Sequence, residues 1–205
     1  IYTHASCRIP GEPDAFLINP YGLLFREITP SNLVKVGWDG RPSASSAHPA
    51  NTAGFVIHSA LLRARPDVHC AIHTHTRAGV ALSCLREGLL PINQFAIEFD
   101  GRVGYHDYEG LALRLDEQER LARSLGPSNV ALVLRSHGLL TVGPSVPGAF
   151  YLAYYLEQAA RVQMDVLATQ RAFIEPPASV RRESQSQYTS SFDPAATGAR
   201  MWPAM

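Results

Sequence analysis

Two short apolar runs that each lead into histidine constrain the fold of this 205-residue chain more than any other feature of its sequence. Residues 68–72 and 129–134 both have the length and apolar content of a buried β-strand. The first run continues into the His-Thr-His tripeptide at 73–75, and the second is followed closely by His137. Residues two apart on a strand project to the same face, so both imidazoles of the tripeptide should point the same way from a rigid element. The sequence therefore predicts two strands that end at a shared divalent-metal site.

Each of these histidines also has a simpler explanation. A His-x-His pair is short enough to arise by chance in a chain with eight histidines. His73 and His75 could lie on the solvent face of an edge strand, and His137 could bind backbone at a turn. The occurrence of all three at the ends of two predicted strands favours the metal site. Three imidazoles with an open coordination position are typical of a catalytic rather than a structural metal.

The rest of the apolar pattern alternates between strands and helices. Asn51 is a predicted helix N-cap, and Pro66 excludes continuation of that helix. Asp116 and Glu119 form a predicted capping box for a helix that ends near Leu125. Further strands are predicted at 15–18, 23–25 and 33–36, and further helices at 77–86 and from about 147 to 170. Short connections favour antiparallel pairing, so the pattern indicates one layered α/β domain with a mixed sheet.

Composition excludes several classes of partner. Lysine plus arginine equals aspartate plus glutamate, at 18 each, so nothing indicates binding to nucleic acid or to an anionic membrane. No apolar stretch approaches the ~18 residues that span a bilayer. The three cysteines, Cys7, Cys70 and Cys84, lack metal-site spacing and predict reduced thiols in the cytoplasm. Residues 176–205 are rich in Ser, Arg, Gln and Pro and predict loose order after a domain at 1–175. The chain starts without an initiator Met, which predicts that flanking residues are missing.

Several motifs together resemble the class II aldolase/adducin family. They are the run from Asn51 through the tripeptide at 73–75, the segment Tyr105-His106-Asp107-Tyr108, the segment Leu134-Arg135-Ser136-His137-Gly138, and Gly148-Ala149-Phe150. The resemblance covers residues 1 to about 170 and is closest to the adducin head domain and its bacterial relatives. It implies a three-layer α/β/α fold with a mostly antiparallel central sheet. It also implies a homotetramer with sites between subunits.

The resemblance also implies roles for individual residues. The three histidine ligands of the family correspond to His73, His75 and His137, which would hold zinc or alternatively manganese, cobalt or nickel. Tyr105 corresponds to the tyrosine that a neighbouring subunit contributes to protonate the developing oxyanion. The catalytic glutamate of the sugar-phosphate aldolases corresponds to Gly54, which has no side chain to act as an acid or a base.

Departures from the family pattern narrow the predicted activity. The family's phosphate-binding donors are replaced by Thr3-His4 and Tyr21-Gly22, so a phosphate cradle is not expected. His4 is predicted to line the pocket, and Arg77 to bind a substrate carboxylate unless it lies in solvent. The predicted function is a metal-dependent lyase, of aldolase or decarboxylase type, acting on a small carbonyl or carboxylate compound. The alternative is a non-catalytic, adducin-like assembly domain.

Overall fold

The computed structural model describes residues 2–44 and 46–204. Within these residues one mixed sheet has the strand order β3-β2-β1-β4-β7-β6-β5. All neighbouring strands are antiparallel except β5 and β6, which are parallel. The strands are β1 (His4–Ile9), β2 (Glu12–Ile18), β3 (Val34–Gly37), β4 (Cys70–Thr74), β5 (Val103–His106), β6 (Ala131–Leu134) and β7 (Gly138–Gly143). The predicted mixed, mostly antiparallel sheet is confirmed.

Helices cover both faces of the sheet, which gives the predicted three-layer α/β/α architecture. The helices are α1 (Thr52–Ala64), α2 (Arg77–Ser83), α3 (Gln94–Ile97), α4 (Glu117–Leu125), α5 (Val146–Ala168), α6 (Ala178–Ser191) and α7 (Pro194–Met201). Short 3-10 helices occur at Phe25–Glu27, Pro30–Asn32 and Trp202–Ala204. Helices α1 and α4 pack on one face of the sheet. Helices α2 and α5 pack on the other, and α3 and α7 pack against α5.

Strand β6 shows how the sheet separates two apolar cores. Leu132 and Leu134 point toward the core under α1 and α4, whereas Ala131 and Val133 point toward the core under α5. All four side chains are buried. A strand covered on both faces reads as a continuous apolar run rather than an alternating one, and this is the pattern that the sequence has at 129–134.

Two local predictions about the chain were wrong. Residues 23–25 do not form a strand, because the side chain of Glu27 accepts a hydrogen bond from the Leu24 backbone N–H at 2.7 Å and closes a 3-10 turn. Helix α4 is present, but Asp116 makes no capping hydrogen bond. Its carboxylate instead pairs with Arg114 and Arg120, at 2.6 and 3.3 Å.

The C-terminal segment contains two helices where the composition of residues 176–205 predicts loose order. Helix α7 lies against the start of α5, and a Cβ at Gly198 would collide with the Pro147 carbonyl oxygen. Phe150 of α5 also meets Trp202 edge-on, with ring centroids 5.7 Å apart. Close packing on α5 therefore orders α7, whereas α6 lies against α3. No described helix is both long and apolar enough to cross a membrane.

Candidate metal centre

Strand pairing at the centre of the sheet brings the three predicted histidines together. His73 lies in β4, His75 follows the end of that strand, and His137 lies in the tight turn between β6 and β7. Strands β4 and β7 are neighbours, and His73 pairs with Leu140. One ring nitrogen from each histidine lies within 4.8 Å of the others. The Nε2 atoms of His73 and His75 are 2.8 Å apart.

The turn that carries His137 is held by the end of α2. The backbone N–H of Ser136 donates to the Ser83 carbonyl, and the backbone N–H of His137 donates to Ser83 Oγ, both at 3.1 Å. The left-handed residue is Ser136, with φ 55°, so the reversal does not depend on Gly138. Gly138 is required for another reason, because a Cβ there would collide with the Thr74 carbonyl oxygen on β4.

The protonation of the three imidazoles suits metal ligation. Burial, followed by the neighbouring imidazoles, lowers the pKa of His73 well below its ordinary value and that of His137 to about 4. The pKa of His75 is also lowered, mainly by burial. His73 Nδ1 lies 2.9 Å from the Leu139 carbonyl oxygen and must donate its proton there, which leaves the Nε2 lone pair free. Three neutral imidazoles with converging nitrogens therefore fit a divalent ion such as zinc.

The histidine cluster forms one wall of a cavity of about 480 Å³. Its polar lining includes Tyr2, His4 and Asn51 together with the three histidines. Its apolar lining includes Ile57, Val80 and the loop segment 110–113. An apolar cavity of this size with a few convergent polar groups is typical of a small-molecule site.

His4 occupies the space beside Gly54. A Cβ at position 54 would lie 3.1 Å from both Cδ2 and Nε2 of His4. The His4 ring stacks on that of His73 with centroids 6.0 Å apart, and it is only 3% exposed. Neither of its ring nitrogens has a hydrogen-bond partner among the described residues. Burial lowers its pKa to about 4, so His4 presents a neutral polar ring to the cavity.

A second buried histidine lies behind His4. His58 of α1 is fully buried, and its Nδ1 is 2.6 Å from Ser6 Oγ. Its ring meets the ring of His4 edge-on at 5.8 Å between centroids. Burial, and then His4, lowers the pKa of His58 well below its ordinary value. The ring of His4 at the cavity wall and the ring of His58 behind it are thus both uncharged.

The structure does not bring Tyr105 or Arg77 into the cavity of the same chain. The Tyr105 ring packs on the α5 side of the sheet under the Arg135 guanidinium, 4.4 Å away, and its hydroxyl accepts a hydrogen bond from the Leu89 N–H at 3.1 Å. Arg77 is exposed and lines a separate groove with Glu157. Arg77 is absent from the lining of the histidine cavity, and its predicted role in substrate binding stays a prediction. A role for Tyr105 at a neighbouring subunit stays a prediction.

Two other titratable residues of the 105–109 segment, His106 and Glu109, have partners outside the cavity. His106 is buried between Ser124 Oγ at 3.1 Å and Glu117 Oε1 at 3.3 Å. Glu109 forms a bidentate pair with Arg120, at 2.7 and 2.6 Å.

Tyr108 is the residue of the 105–109 segment that does line the cavity, and motif position alone did not indicate this. The following Gly110 has φ 101°, and a glycine after the motif was the one available sign that the loop reverses there.

Comparisons with known proteins agree with this geometry. The family model described as Class II Aldolase and Adducin N-terminal domain matches residues 1–164. A Pseudomonas aeruginosa protein whose name assigns it provisionally to aldolase class 2 is 48% identical over 164 residues, which are 80% of this chain and 62% of that protein. Alpha-adducin of Rattus norvegicus is 44% identical over 171 residues, which are 82% of this chain and 23% of adducin. The chain thus spans less than two thirds of either relative.

A solved structure supports the same assignment of the fold. The crystal structure of an aldolase II superfamily protein from Pseudomonas syringae is similar with a TM-score of 0.91 and 47% sequence identity. The similarity covers 100% of this chain and 81% of that one.

Proposed function

Because the chain belongs to the class II aldolase and adducin family, we propose that it is a divalent-metal-dependent lyase. The observation that supports this most is the cluster of His73, His75 and His137, whose nitrogens converge on one point at the wall of a cavity. A scaffold gains nothing from three neutral imidazoles that face one another, since their converging nitrogens lose hydration without a hydrogen-bond partner outside the cluster. Rigid strand ends hold the cluster, as a catalytic centre requires.

The chemistry follows from what the residues can and cannot do. A bound zinc ion, or manganese, cobalt or nickel in its place, supplies stabilisation of negative charge on a substrate oxygen. His73, His75 and His137 hold it, and His4 offers a hydrogen bond to the substrate from the adjacent wall. Gly54 provides no base. Decarboxylation leaves its electron pair through loss of carbon dioxide and needs no base at that position, so it is the reaction that the site suits best.

The substrate that we propose is a small carbonyl or carboxylate compound rather than a sugar phosphate. The side chain of Asn51, at the cavity edge, already caps α1 through the Gly54 N–H at 3.1 Å. His4 is neutral, and the described residues that line the cavity include no lysine or arginine to meet a phosphate dianion.

We also propose a cytoplasmic homotetramer in which Tyr105 acts at a neighbouring subunit. Leu111 and Leu113 line the cavity and are 75% and 54% exposed, and Leu115, two residues further along the chain, is 63% exposed, which is more apolar surface than a monomer needs there. The aromatic residues of α5 provide less surface for a neighbouring subunit than their number indicates, because Phe150 packs on Trp202 within the chain. Three free thiols fit a reducing compartment.

A second candidate function is an adducin-like assembly domain. The single observation that favours it is Gly54, because the family's acid/base carboxylate cannot be replaced by a hydrogen atom. On this alternative the histidines would bind metal without turnover, or no metal at all.

Elemental analysis of untagged protein tests the metal site directly. We expect about one divalent ion per chain and its loss in the His73→Ala/His75→Ala variant. His69→Ala, on an exposed residue before β4, is the matched control and should retain the ion. Metal-free protein, or an unchanged content in the double variant, contradicts the proposal. Metal-loaded protein that releases no carbon dioxide and cleaves no carbon–carbon bond across a panel of 3-keto and hydroxy acids supports the assembly domain instead.

A further inference from the structure

Two cysteines face each other across the strands that bear His4 and His73. Cys7 of β1 and Cys70 of β4 are direct partners in the antiparallel ladder. The Arg8 N–H donates to the His69 carbonyl at 2.8 Å, so Arg8 and His69 form a hydrogen-bonded pair. Hydrogen-bonded pairs recur at every second residue along an antiparallel ladder. Cys7 and Cys70 therefore form a non-hydrogen-bonded pair, in which Cα atoms lie about 4.5 Å apart and side chains are closest. A disulfide accepts Cα separations of about 4.4–6.8 Å.

The neighbouring strands leave the two thiols to contact each other. On its other side Cys70 pairs with Gly143 of β7, which offers no side chain. The Cys70 thiol donates a hydrogen bond to the sulfur of Cys7 and lowers the pKa of Cys7 to about 7. The pKa of Cys70 is raised by the same hydrogen bond and by burial. Cys7 is partly exposed, whereas Cys70 is 4% exposed.

We propose that Cys7 and Cys70 form a thiol–disulfide exchange site, whose co-reactant is a small disulfide of the glutathione class. The accessible Cys7 sulfur attacks one sulfur of that disulfide, and the other leaves as a thiolate that takes up a proton. Cys70 then attacks Cys7 as its proton passes to the departing thiolate, which forms the Cys7–Cys70 bond and releases the second thiol. One external disulfide is reduced to two thiols, and two protein thiols are oxidised to one disulfide. This site is independent of the proposed lyase.

The bond would tie β1 to β4 on the face of the sheet away from the cavity. Ala71 and His73 point toward the α1 side, so Cys70, one residue before Ala71, points toward the α5 side. The cross-link closes a loop of about sixty residues, which reduces the conformational freedom of the unfolded chain. Oxidation should therefore raise the melting temperature by several degrees and leave the histidine cavity open.

Cys84 provides an internal control for the experiment. It is exposed and has no cysteine beside it, so a mixed disulfide formed there cannot be resolved. The purified protein is incubated with oxidised glutathione and analysed by peptide mass spectrometry without a reduction step. We expect glutathione on Cys84 and a peptide containing Cys7 linked to one containing Cys70, lighter by two hydrogen atoms. Dithiothreitol should remove both.

The Cys70→Ala variant separates resolution from accessibility. Without the resolving thiol, glutathione should accumulate on Cys7, and the rise in melting temperature should disappear. A wild-type protein in which Cys84 is modified while Cys7 and Cys70 stay reduced overturns the proposal. It is equally overturned if Cys7 in the wild type retains glutathione with Cys70 free.

Discussion

Replacement of Gly54 by alanine tests whether His4 occupies the space of a side chain at that position. The new Cβ would lie 3.1 Å from His4 Cδ2, His4 Nε2 and Ile18 Cδ1, where ordinary contacts begin near 3.4 Å. Alanine in a helix is favoured over glycine by up to about 1 kcal/mol. Crowding of a well-packed site costs about 1–3 kcal/mol. The expected net effect on the free energy of unfolding is a loss of about 0–2 kcal/mol.

In a His4→Ala background, Gly54→Ala should instead raise the free energy of unfolding. Two of the three close contacts are then absent, so the helical preference for alanine remains with little crowding. The difference between the two backgrounds is a coupling energy of about 1–2 kcal/mol. Chemical denaturation of wild type, both single variants and the double variant measures it, because the cycle cancels the cost of removing the His4 imidazole itself.

A matched cycle with His69→Ala, which is exposed, should give additive free energies. Additivity of Gly54→Ala and His4→Ala within about 0.5 kcal/mol would refute the argument, since residues that share no space do not couple. It would mean that the cavity has room for a side chain at position 54 with His4 in place.

Three further outcomes are expected. Burial raises the pKa of Glu98 from 4.5 to about 7, so the free energy of unfolding decreases as pH rises from about 4.5 to about 7. Glu98→Gln should therefore stabilise the protein by about 3 kcal/mol at pH 8 but little at pH 4. Glutamine keeps an acceptor for the Tyr151 hydroxyl, and equal unfolding midpoints at pH 8 would contradict this. Fuculose- and rhamnulose-phosphate cleavage should be negligible by coupled assay, and Gly54→Glu should restore little of it. Tyr105→Phe should still bind metal and form tetramers by light scattering but lose lyase activity; a monomeric wild type would contradict the tetramer.

The features that the sequence predicted well are those determined by residues a few positions away along the chain. The Asn51 cap depends on a residue three positions away, and the alignment of His73 with His75 depends on strand periodicity. The contact of His4 with His73 depends instead on the pairing of β1 with β4, which a single sequence does not specify. The direction of Tyr105 depends on the parallel pairing of β5 with β6. Long-range pairing therefore decides which predicted residues meet within one chain, and motif position alone did not indicate that Arg77 and Tyr105 lie outside the cavity of their own chain.

The position of His137 links metal binding to the order of folding. Before β4 and β7 pair, the chain offers only the two histidines of the tripeptide, which lie far along the sequence from His137. A three-coordinate site comes into existence only when this non-local pairing forms, and such pairings are slow to close. On the proposed function, a divalent ion would bind the native chain in strong preference to the unfolded one and pull the equilibrium toward the assembled sheet. A cell short of that ion would contain less folded protein, so its abundance would follow the metal supply.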